Sequence, residues 1–383
     1  MEVRKLYYED CHLDRFQARV TGCEQTEKGW VITLDATAFY PEGGGQACDL
    51  GALGAARVLD VQEKGENVVH LCDKPLEVGM MVEGKIDWQR RFDLMQQHTG
   101  EHILSGLINK RFGYHNVGFH MGNQTMEVDF DGPITLEELL ELEAQANAIV
   151  WQNQPVRCWY PSQSELAEIT YRSKKALQWP VRIVRVDGAD TCACCGVHTA
   201  YTGEVGLIKV VSCIKFHQGV RIEMLCGERA YRYLSAIHEE NRQVSQVFSA
   251  KMLSTGAVAK QFSQQLAQEK YRATGLEKRL YQAIANNYVN YGDIVHFEPE
   301  LSAGAVRELA DAIAAVCGGV AAVFSGSDEN GYMVCILHHG GDVKELGSQM
   351  AKTLNGRGGG KPGSFQGSLR ATRQQIEEFF RDR

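Results

Sequence analysis

The spacing of hydrophobic and polar positions changes several times along the chain. Short alternating or clustered apolar runs fill the first part, as in residues 29–34 and 67–71, and glycines separate them. Such runs between turn residues are typical of strands. Residues 1–90 are therefore predicted to form a small, Gly-rich, β-barrel-like domain.

The pattern then becomes helical. Apolar residues recur at helical spacing over residues 88–112 and again from residue 133 to about residue 151. Short strands follow, of which residues 181–186 are the clearest. Residues 91–227 are therefore predicted to form an α+β domain.

Residues 228–383 show two further patterns, one helical and one of alternating helices and strands. Residues 228–290 carry two apolar helical stripes, and the Ser-Thr-Gly sequence at 254–256 separates them. This predicts a helical hairpin that serves as a linker or as a dimer interface. Residues 291–383 alternate helices and strands, which predicts a C-terminal α/β domain. The predicted fold class is α+β in four parts, and a homodimer through the hairpin or the C-terminal domain is a further expectation.

The amino-acid composition excludes several classes of protein. Of 383 residues, 44% are hydrophobic and 23% are charged, which excludes a disordered, collagen-like or purely coiled-coil chain. No run approaches the roughly 18 apolar residues that span a bilayer. The N-terminus is charged from residue 2 and has no apolar core of a signal peptide. We expect no membrane association and a cytoplasmic protein.

Charge is unevenly distributed near the C-terminus. The chain carries a net charge of −8. Residues 281–343 contain one Lys/Arg and eight Asp/Glu, or −7, whereas residues 344–376 contain six Lys/Arg and one Asp/Glu, or +5. A basic segment in an acidic protein predicts a local anion-binding surface.

Two sequence steps supply metal-ligand residues. His98 and His102 are four residues apart on the predicted helix, which places both imidazoles on one face. Cys194 and His198 form a Cys-x3-His step, in which Gly196 allows a sharp backbone turn. Three histidines and one cysteine suit a single Zn²⁺ ion per chain.

The identity of the cysteine ligand stays open at this level. Cys192, Cys194 and Cys195 lie together, and Cys192-x-x-Cys195 also fits a zinc knuckle or a redox pair. The i, i+4 spacing to His198 favours Cys194. The other nine cysteines are scattered and are predicted to be reduced, buried hydrophobes.

A zinc peptidase is an alternative. His98-x-x-Glu101-His102 matches the inverted peptidase pattern, in which the glutamate is the general base. That class completes its site with a carboxylate, however, and a thiolate lowers the Lewis acidity of zinc. Glu101 is otherwise predicted to be a solvent-side residue.

Two Gly-rich segments are candidate ligand-binding loops. The first runs from Thr37 to Gln46 and contains three consecutive glycines, whose backbone can approach a ligand closely. The second covers residues 355–367 within the basic segment, where backbone amides with Arg357 and Lys361 predict a phosphate cradle. A hairpin turn and a flexible linker are the respective alternatives.

Taken together, four motifs resemble the stand-alone alanyl-tRNA editing proteins, in the long form with a C-terminal DHH-associated domain. They occur in the same order and span the chain: FYPEGGGQ at 39–46, HTGEH at 98–102, CCGVHTAYTGEVG at 194–206 and GRGGGKPGSFQG at 356–367. The resemblance implies that His98, His102, Cys194 and His198 hold the zinc. Where the related synthetase reads Cys-Gly-Gly-Thr-His, this chain reads Cys-Cys-Gly-Val-His. Because no aminoacylation domain precedes residue 1, the resemblance implies editing in trans.

The resemblance also implies a reaction and a partner. The expected activity is deacylation of mischarged tRNA(Ala), with Ser-tRNA(Ala) as the main substrate and Gly-tRNA(Ala) as a second. Glu101 and His120 are the residues considered for catalysis, and residues 116–121 are predicted to form a pocket wall. The residues expected to contact the substrate are Thr37, Gly43, Gly44, Gly45, Gln46 and Phe119. Those expected to contact tRNA are Arg357, Gly358, Gly359, Gly360 and Lys361.

A zinc-stabilised RNA-binding module without catalysis is a third class. Deacylation of Ser-tRNA(Ala), with and without a chelator, separates the three classes.

Overall fold

A computed structural model describes residues 3–65, 67–122, 124–173 and 177–381. Its contacts divide the chain into two compact units, Met1–Gln243 and Val244–Arg383. Both contain helices and sheets, so the α+β class is confirmed. The division into four domains stays a prediction, as does the dimer.

The first unit begins with a closed barrel of six antiparallel strands, in the order β2-β3-β7-β6-β5-β8. Alternate residues of its strands point inward, as along β2, where exposed and buried positions alternate. The short strands β1 and β4 pair in parallel beside it. The bounds are β1 Arg4–Lys5, β2 Arg15–Thr26, β3 Gly29–Leu34, β4 Ala36–Thr37, β5 Gly51–Leu53, β6 Ala56–Lys64, β7 Asn67–Cys72 and β8 Met81–Ile86.

After the barrel, two helices pack on a four-stranded sheet of order β14-β15-β10-β9, and a three-stranded sheet of order β11-β12-β13 lies alongside the first helix. Apolar side chains of the first two helices and of the larger sheet share one core. The bounds are α1 Trp88–Phe112, β9 Asn116–Met121, β10 Met126–Phe130, α2 Leu136–Trp151, β11 Val156–Trp159, α3 Gln163–Glu168, β12 Ile183–Val186, β13 Asp190–Ala193, β14 Ile208–Phe216 and β15 Gly219–Cys226.

Two long helices follow, and the second belongs to the C-terminal unit. There it packs on α6 over a five-stranded sheet of order β16-β17-β18-β20-β19. The bounds are α4 Gly227–Val247, α5 Thr255–Asn286, β16 Gly292–Phe297, α6 Ala303–Cys317, β17 Gly318–Ser327, β18 Gly331–Leu337, α7 Lys344–Thr353, β19 Arg357–Lys361, β20 Ser364–Leu369 and α8 Arg373–Arg381. Among the described residues, none of the helices combines the length and the apolar character that crossing a bilayer requires.

The second Gly-rich segment is a hairpin and not the predicted loop. Its residues form β19, which pairs with β20 along the edge of the sheet. The glycines permit this close pairing, since a Cβ atom on Gly360 would lie 1.9 Å from the carbonyl oxygen of Ser364. The predicted loop is therefore wrong as a local structure, because these residues lie in an edge strand.

A histidine is fully buried in the barrel. His70 Nδ1 lies 3.1 Å from the carbonyl oxygen of Ile32, and its Nε2 lies 2.9 Å from Thr37 Oγ1. Burial lowers the pKa of His70 to about 4. His70 is therefore neutral in the folded protein at pH 7, whereas an unfolded chain takes up a proton below about pH 6.5.

We expect the stability of the first unit to fall between about pH 6.5 and pH 4. The unfolded state binds the extra proton over that window, so His70 contributes a loss of about 3 kcal/mol. Chemical denaturation gives the free energy of unfolding of the wild type and of His70→Gln at pH 7 and pH 4.5. The difference between the two proteins in their loss of stability measures the contribution of His70. Equal pH dependence in the two proteins would contradict it.

Candidate metal centre and cavity

The first two candidate ligands project from the middle of α1. Asp87 caps the start of this helix by accepting a hydrogen bond from the backbone N–H of Arg90, and Gly113 ends it in the left-handed conformation. His98 and His102 therefore lie one turn apart, with ring centroids separated by 5.2 Å. Both side chains are buried.

The other two candidates come from the segment after β13. Cys194 Sγ lies 3.4 Å from His98 Nε2, and the ring of His198 lies 4.5 Å from that of His98 and 4.6 Å from that of His102. One ligand atom from each of the four residues falls within 4.8 Å of all the others. The tertiary structure thus joins the two sequence steps into one cluster.

Neighbouring polar groups hold the histidine rings by their Nδ1 atoms. His98 Nδ1 lies 2.8 Å from Gln46 Oε1, and His198 Nδ1 lies 3.3 Å from Thr99 Oγ1. With Nδ1 engaged, the Nε2 atom of each ring is left for the cluster. Metal-binding histidines in proteins are oriented in this manner.

The third ring faces an ion pair. His102 Nδ1 lies 3.0 Å from Asp190 Oδ2. Arg172 grips the same carboxylate with both Nε and Nη2, at 2.8 and 2.7 Å. Burial opposes the charge on Asp190, but His102 and Arg172 lower the pKa of this carboxyl group. A second group of candidate ligands, His102, Asp190 and Cys192, is therefore less suited to a metal, because Arg172 already binds both oxygens of Asp190.

The pKa values of the three neighbouring cysteine thiols are shifted in different directions. Burial opposes ionisation of Cys194, yet the three histidines lower its pKa well below the ordinary value of a thiol. Burial raises the pKa of Cys192 to about 11 and also raises that of Cys195. Since the thiolate is the ligand form, Cys194 is the cysteine suited to a metal.

One nitrogen atom of the cluster has no hydrogen-bond partner among the described residues. This atom is His198 Nε2, and it is buried. Burial lowers the pKa of His198 to about 3, so the ring is neutral at pH 7 and has one nitrogen lone pair that can bind a metal. Three imidazole nitrogens and one thiolate fit a cation that prefers nitrogen and sulfur ligands.

A cavity of about 590 Å³ opens beside the cluster. Its walls come from the first Gly-rich loop, α1, β9 and the segments around β13. The described residues that line it are Gly44, Gly45, His98, Glu101, His102, Val117, Gly118, Phe119, Arg172, Ser173, Leu177, Gln178, Pro180, Val181, Arg182, Cys192, Ala193, Cys194 and Cys195.

Three family models match parts of the chain, and several relatives match nearly all of it. Residues 4–90 match class II (A) tRNA synthetases, residues 181–223 the second additional domain of threonyl and alanyl tRNA synthetases, and residues 286–382 the DHHA1 domain. An alanyl-tRNA editing protein Aarsd1-A from Xenopus laevis is 28% identical, over 96% of this chain and 91% of its own length. The Aarsd1 protein from Danio rerio is 27% identical over 98% and 96%, respectively.

Along nearly its whole length, the chain is similar to proteins named alanyl-tRNA editing protein. It is also similar to part of alanine–tRNA ligases. The ligase from Ignicoccus hospitalis is 32% identical over 94% of this chain, which spans 40% of the ligase.

The first Gly-rich loop contains a tight turn at the cavity rim. Gly43 and Gln46 exchange backbone hydrogen bonds of 3.1 and 2.9 Å, and Gly44 and Gly45 between them have φ angles of 60° and 86°. Gly44 and Gly45 line the cavity, and Gly45 packs against Phe119. Gln46 instead lies behind His98, where its role is orientation.

Two other predicted site residues lie elsewhere. Thr37 is buried in the barrel against His70. His120 is exposed and is not among the residues that line the cavity, although β9 supplies Val117, Gly118 and Phe119 to its wall. The structure does not bring Thr37 or His120 to the cluster.

Glu101 is buried, so the expectation of a solvent-side residue is wrong. Only 4% of its surface is exposed. Helix α1 is enclosed on all sides from residue 94 to residue 108, and its polar residues are therefore buried along with the apolar ones.

Several residues at the site were not predicted from the sequence. Arg182 donates hydrogen bonds to the carbonyl oxygens of Cys194 (3.0 Å) and Gly196 (2.8 Å), and the Tyr8 hydroxyl donates to that of Cys195 (2.7 Å). These contacts fix the turn that presents Cys194. Asp190 and Arg172 were missed as well, and their only local signal is their place in a strand-rich segment around the cysteines.

Gly196 has a steric role as well as its place in a bend of the backbone. A Cβ atom at this position would lie 2.1 Å from His98 Cε1, and the ring cannot move away easily because it stacks on Phe119 and contacts Gln46.

We expect Gly196→Ala to weaken metal binding by about 10- to 100-fold, as loss of a supporting residue does. Competition with a chelator measures the affinity. Gly275→Ala is the matched control, because nothing lies within 4 Å of that Cβ position, and unchanged affinity in Gly196→Ala would contradict the steric role.

Proposed function

We propose that this chain is a hydrolase that removes the wrong amino acid from mischarged tRNA(Ala) by cleaving the ester to the terminal ribose. The observation that carries the proposal is a thiolate–imidazole cluster at the wall of a cavity large enough for an aminoacylated ribose. The names of the full-length relatives, alanyl-tRNA editing proteins, support the same substrate.

The proposed cofactor is one Zn²⁺ ion, held by His98, His102, Cys194 and His198. The donor set, the thiolate character of Cys194 and the unpartnered His198 Nε2 support this choice. When bound, zinc would supply positive charge that orients and polarises the ester end of the substrate. The chain's own residues then bind the aminoacyl end: the Gly44–Gly45 turn allows close approach, and Phe119 closes the apolar wall.

The proposed substrates are Ser-tRNA(Ala) and, second, Gly-tRNA(Ala). A synthetase pocket built for alanine cannot strongly exclude the smaller glycine or the near-isosteric serine, so a second, hydrolytic site is needed. Polar cavity residues such as Ser173 and Gln178 could favour the serine hydroxyl. We further propose a cytoplasmic location, which all twelve cysteines support by being free.

Hydrolysis of purified Ser-tRNA(Ala), Gly-tRNA(Ala) and Ala-tRNA(Ala), with and without a zinc chelator, tests the proposal. We expect rapid loss of serine, slower loss of glycine, little loss of alanine and inhibition by the chelator. A non-catalytic RNA-binding module would bind all three without hydrolysis. A peptidase would leave them intact and cleave peptides, a reading that the carboxylate-free ligand cluster does not favour.

The exposed strand β19 is the proposed second grip on tRNA. Arg357 and Lys361 lie at its two ends, and all five of its residues are exposed.

We expect Arg357→Ala with Lys361→Ala to weaken tRNA binding and to lower the slope of log affinity against log salt by about one per lost phosphate contact. Affinity measured over a salt series checks this, with zinc content and the rate at saturating tRNA near wild type. An unchanged slope with an altered oligomer size would instead favour a structural role.

A further inference from the structure

Two arginines lie opposite each other on the three-stranded sheet of the first unit. Arg157 on β11 and Arg185 on β12 are direct partners in the antiparallel register, so their side chains lie on the same face of the sheet. These side chains are 61% and 51% exposed. Like charges in directly opposite positions destabilise a strand pair, so the arrangement calls for a compensating role.

Both guanidinium groups share a single carboxylate. Asp187 Oδ2 lies 3.6 Å from Arg157 Nη2, and Asp187 Oδ1 lies 3.0 Å from Arg185 Nε. The three side chains together have a formal charge of +1. Since each guanidinium group has five N–H donors, the contacts to Asp187 occupy only a small part of the donors of this pair.

The arginine pair lies along a groove that continues from the cavity beside the cluster. This groove has a volume of about 820 Å³ and shares Arg172 and Ser173 with the cavity wall. Arg185 lines the groove and, with Arg157, also lines an adjoining recess of about 440 Å³. A strand that leaves the cavity can therefore follow the groove as far as the arginine pair.

Positive charge predominates along this path. Lys110, in the last turn of α1, lines the groove, is exposed and has no ion pair among the described residues. With histidine counted as neutral, the described lining of the groove and the recess has a formal charge of +2, from Lys110, Arg157, Arg172 and Arg185 against Asp187 and Asp190. The whole chain has a net charge of −8, so this local excess favours an anionic ligand.

A single-stranded nucleic acid matches both the shape and the charge of the path. Positively charged grooves follow the phosphates of such strands, and the planar fork of arginine binds phosphate oxygens with two N–H groups. In the proposed reaction, the ester at the 3′ end of the tRNA lies in the cavity. The nucleotides that precede it must therefore leave the cavity over its rim.

We propose that Arg157 and Arg185, together with Lys110, bind the phosphates of the single-stranded 3′ end of tRNA. This inference rests on the proposed deacylase function and adds to it an RNA-binding surface on the first unit. The three cations lie outside the cavity that holds the ester. They therefore contribute to the binding of the strand and not to the rate at saturating tRNA.

The test measures the binding of an unacylated RNA hairpin that contains the acceptor stem and the single-stranded 3′ end, over a salt series. In Arg157→Gln with Arg185→Gln, we expect affinity to fall by about 10- to 100-fold. The slope of log affinity against log salt should become shallower by about 1.4, since each phosphate contact to a single strand contributes about 0.7. KM for Ser-tRNA(Ala) should rise while kcat stays near wild type.

Removal of the shared carboxylate has the opposite expected effect. Asp187→Asn releases both guanidinium groups and should tighten hairpin binding by about 2- to 5-fold, the worth of the exposed ion pairs that it removes. Weaker binding in this variant would contradict the proposal. The matched control is Arg4→Gln with Arg15→Gln, which removes two exposed arginines that are each paired with one carboxylate. Its affinity and salt slope should stay near wild type.

The outcomes distinguish the RNA contact from the deacylase function. Unchanged affinity and salt slope in the double arginine variant would overturn the contact. An equal weakening of a blunt-ended hairpin would overturn it as well, because that RNA has no single strand to enter the cavity. If the wild type hydrolyses no Ser-tRNA(Ala) but the double variant still lowers the salt slope, the deacylase function is refuted and the RNA contact stands.

Discussion

Replacing Cys194 with alanine is expected to remove stoichiometric zinc and deacylation together. The histidine cluster holds Cys194 as a thiolate, so the substitution deletes both a ligand and the negative charge that offsets the cation. We expect a loss of more than about 100-fold in metal affinity, since even supporting residues of metal sites cost up to that factor. Zinc content by mass spectrometry and the rate of serine release from Ser-tRNA(Ala) measure the two effects.

Two variants make this prediction sharp. Cys195→Ala is the matched control, because it removes a thiol from the residue next to Cys194. The Cys195 side chain is exposed, and its pKa is raised. It should retain zinc and activity. Full zinc content in a protein with both His98→Ala and Cys194→Ala would contradict the ligand assignment.

Replacing Arg91 with methionine is expected to lower the free energy of unfolding of the first unit by about 3–5 kcal/mol. Arg91 and Asp49 are both 0% exposed, and Arg91 Nε donates to Asp49 at 2.9 Å. Arg91 Nη2 also donates to the carbonyl oxygen of Ala38 at 2.5 Å. The substitution leaves the Asp49 charge buried and unpaired, which is the costly way to break such a pair.

Denaturant unfolding measures the loss, and further variants test its cause. Adding Asp49→Leu to Arg91→Met should restore part of the stability, because the unpaired charge is then absent. Arg15→Met removes a pair whose side chains are 56% and 49% exposed, and it should change stability by less than about 1 kcal/mol. A double variant that is no more stable than Arg91→Met would show that the buried charge is not the cause.

This ion pair also links the barrel to the site. Asp49 accepts a hydrogen bond of 2.6 Å from the backbone N–H of Tyr40, within the first Gly-rich loop, while Arg91 lies in the first turn of α1. The pair therefore fixes the loop relative to the helix that carries His98 and His102. Neither residue attracts attention in the sequence, because the burial of an arginine depends on chain segments 42 residues apart.

Local signals were sufficient for several elements. The helix predicted over residues 88–112 has those bounds in the structure, and the helix predicted from residue 133 to about 151 spans Leu136–Trp151. The reason is that a capping residue, an apolar period and a terminal glycine act within a few residues of one another. The two ligand steps were visible for the same reason, since i, i+4 spacing is a local property.

Distant contacts decided the rest. Spacing favoured Cys194 among three neighbouring cysteines, but its lowered pKa depends on three histidines, two of them almost 100 residues earlier in the chain. The sequence alone indicated which residue types and which helix supply the clustered side chains. The tertiary structure decided which cysteine ionises, that Glu101 faces the cavity and that residues 357–361 form an edge strand. Burial, electrostatic environment and strand pairing arise only when segments far apart in the chain come into contact.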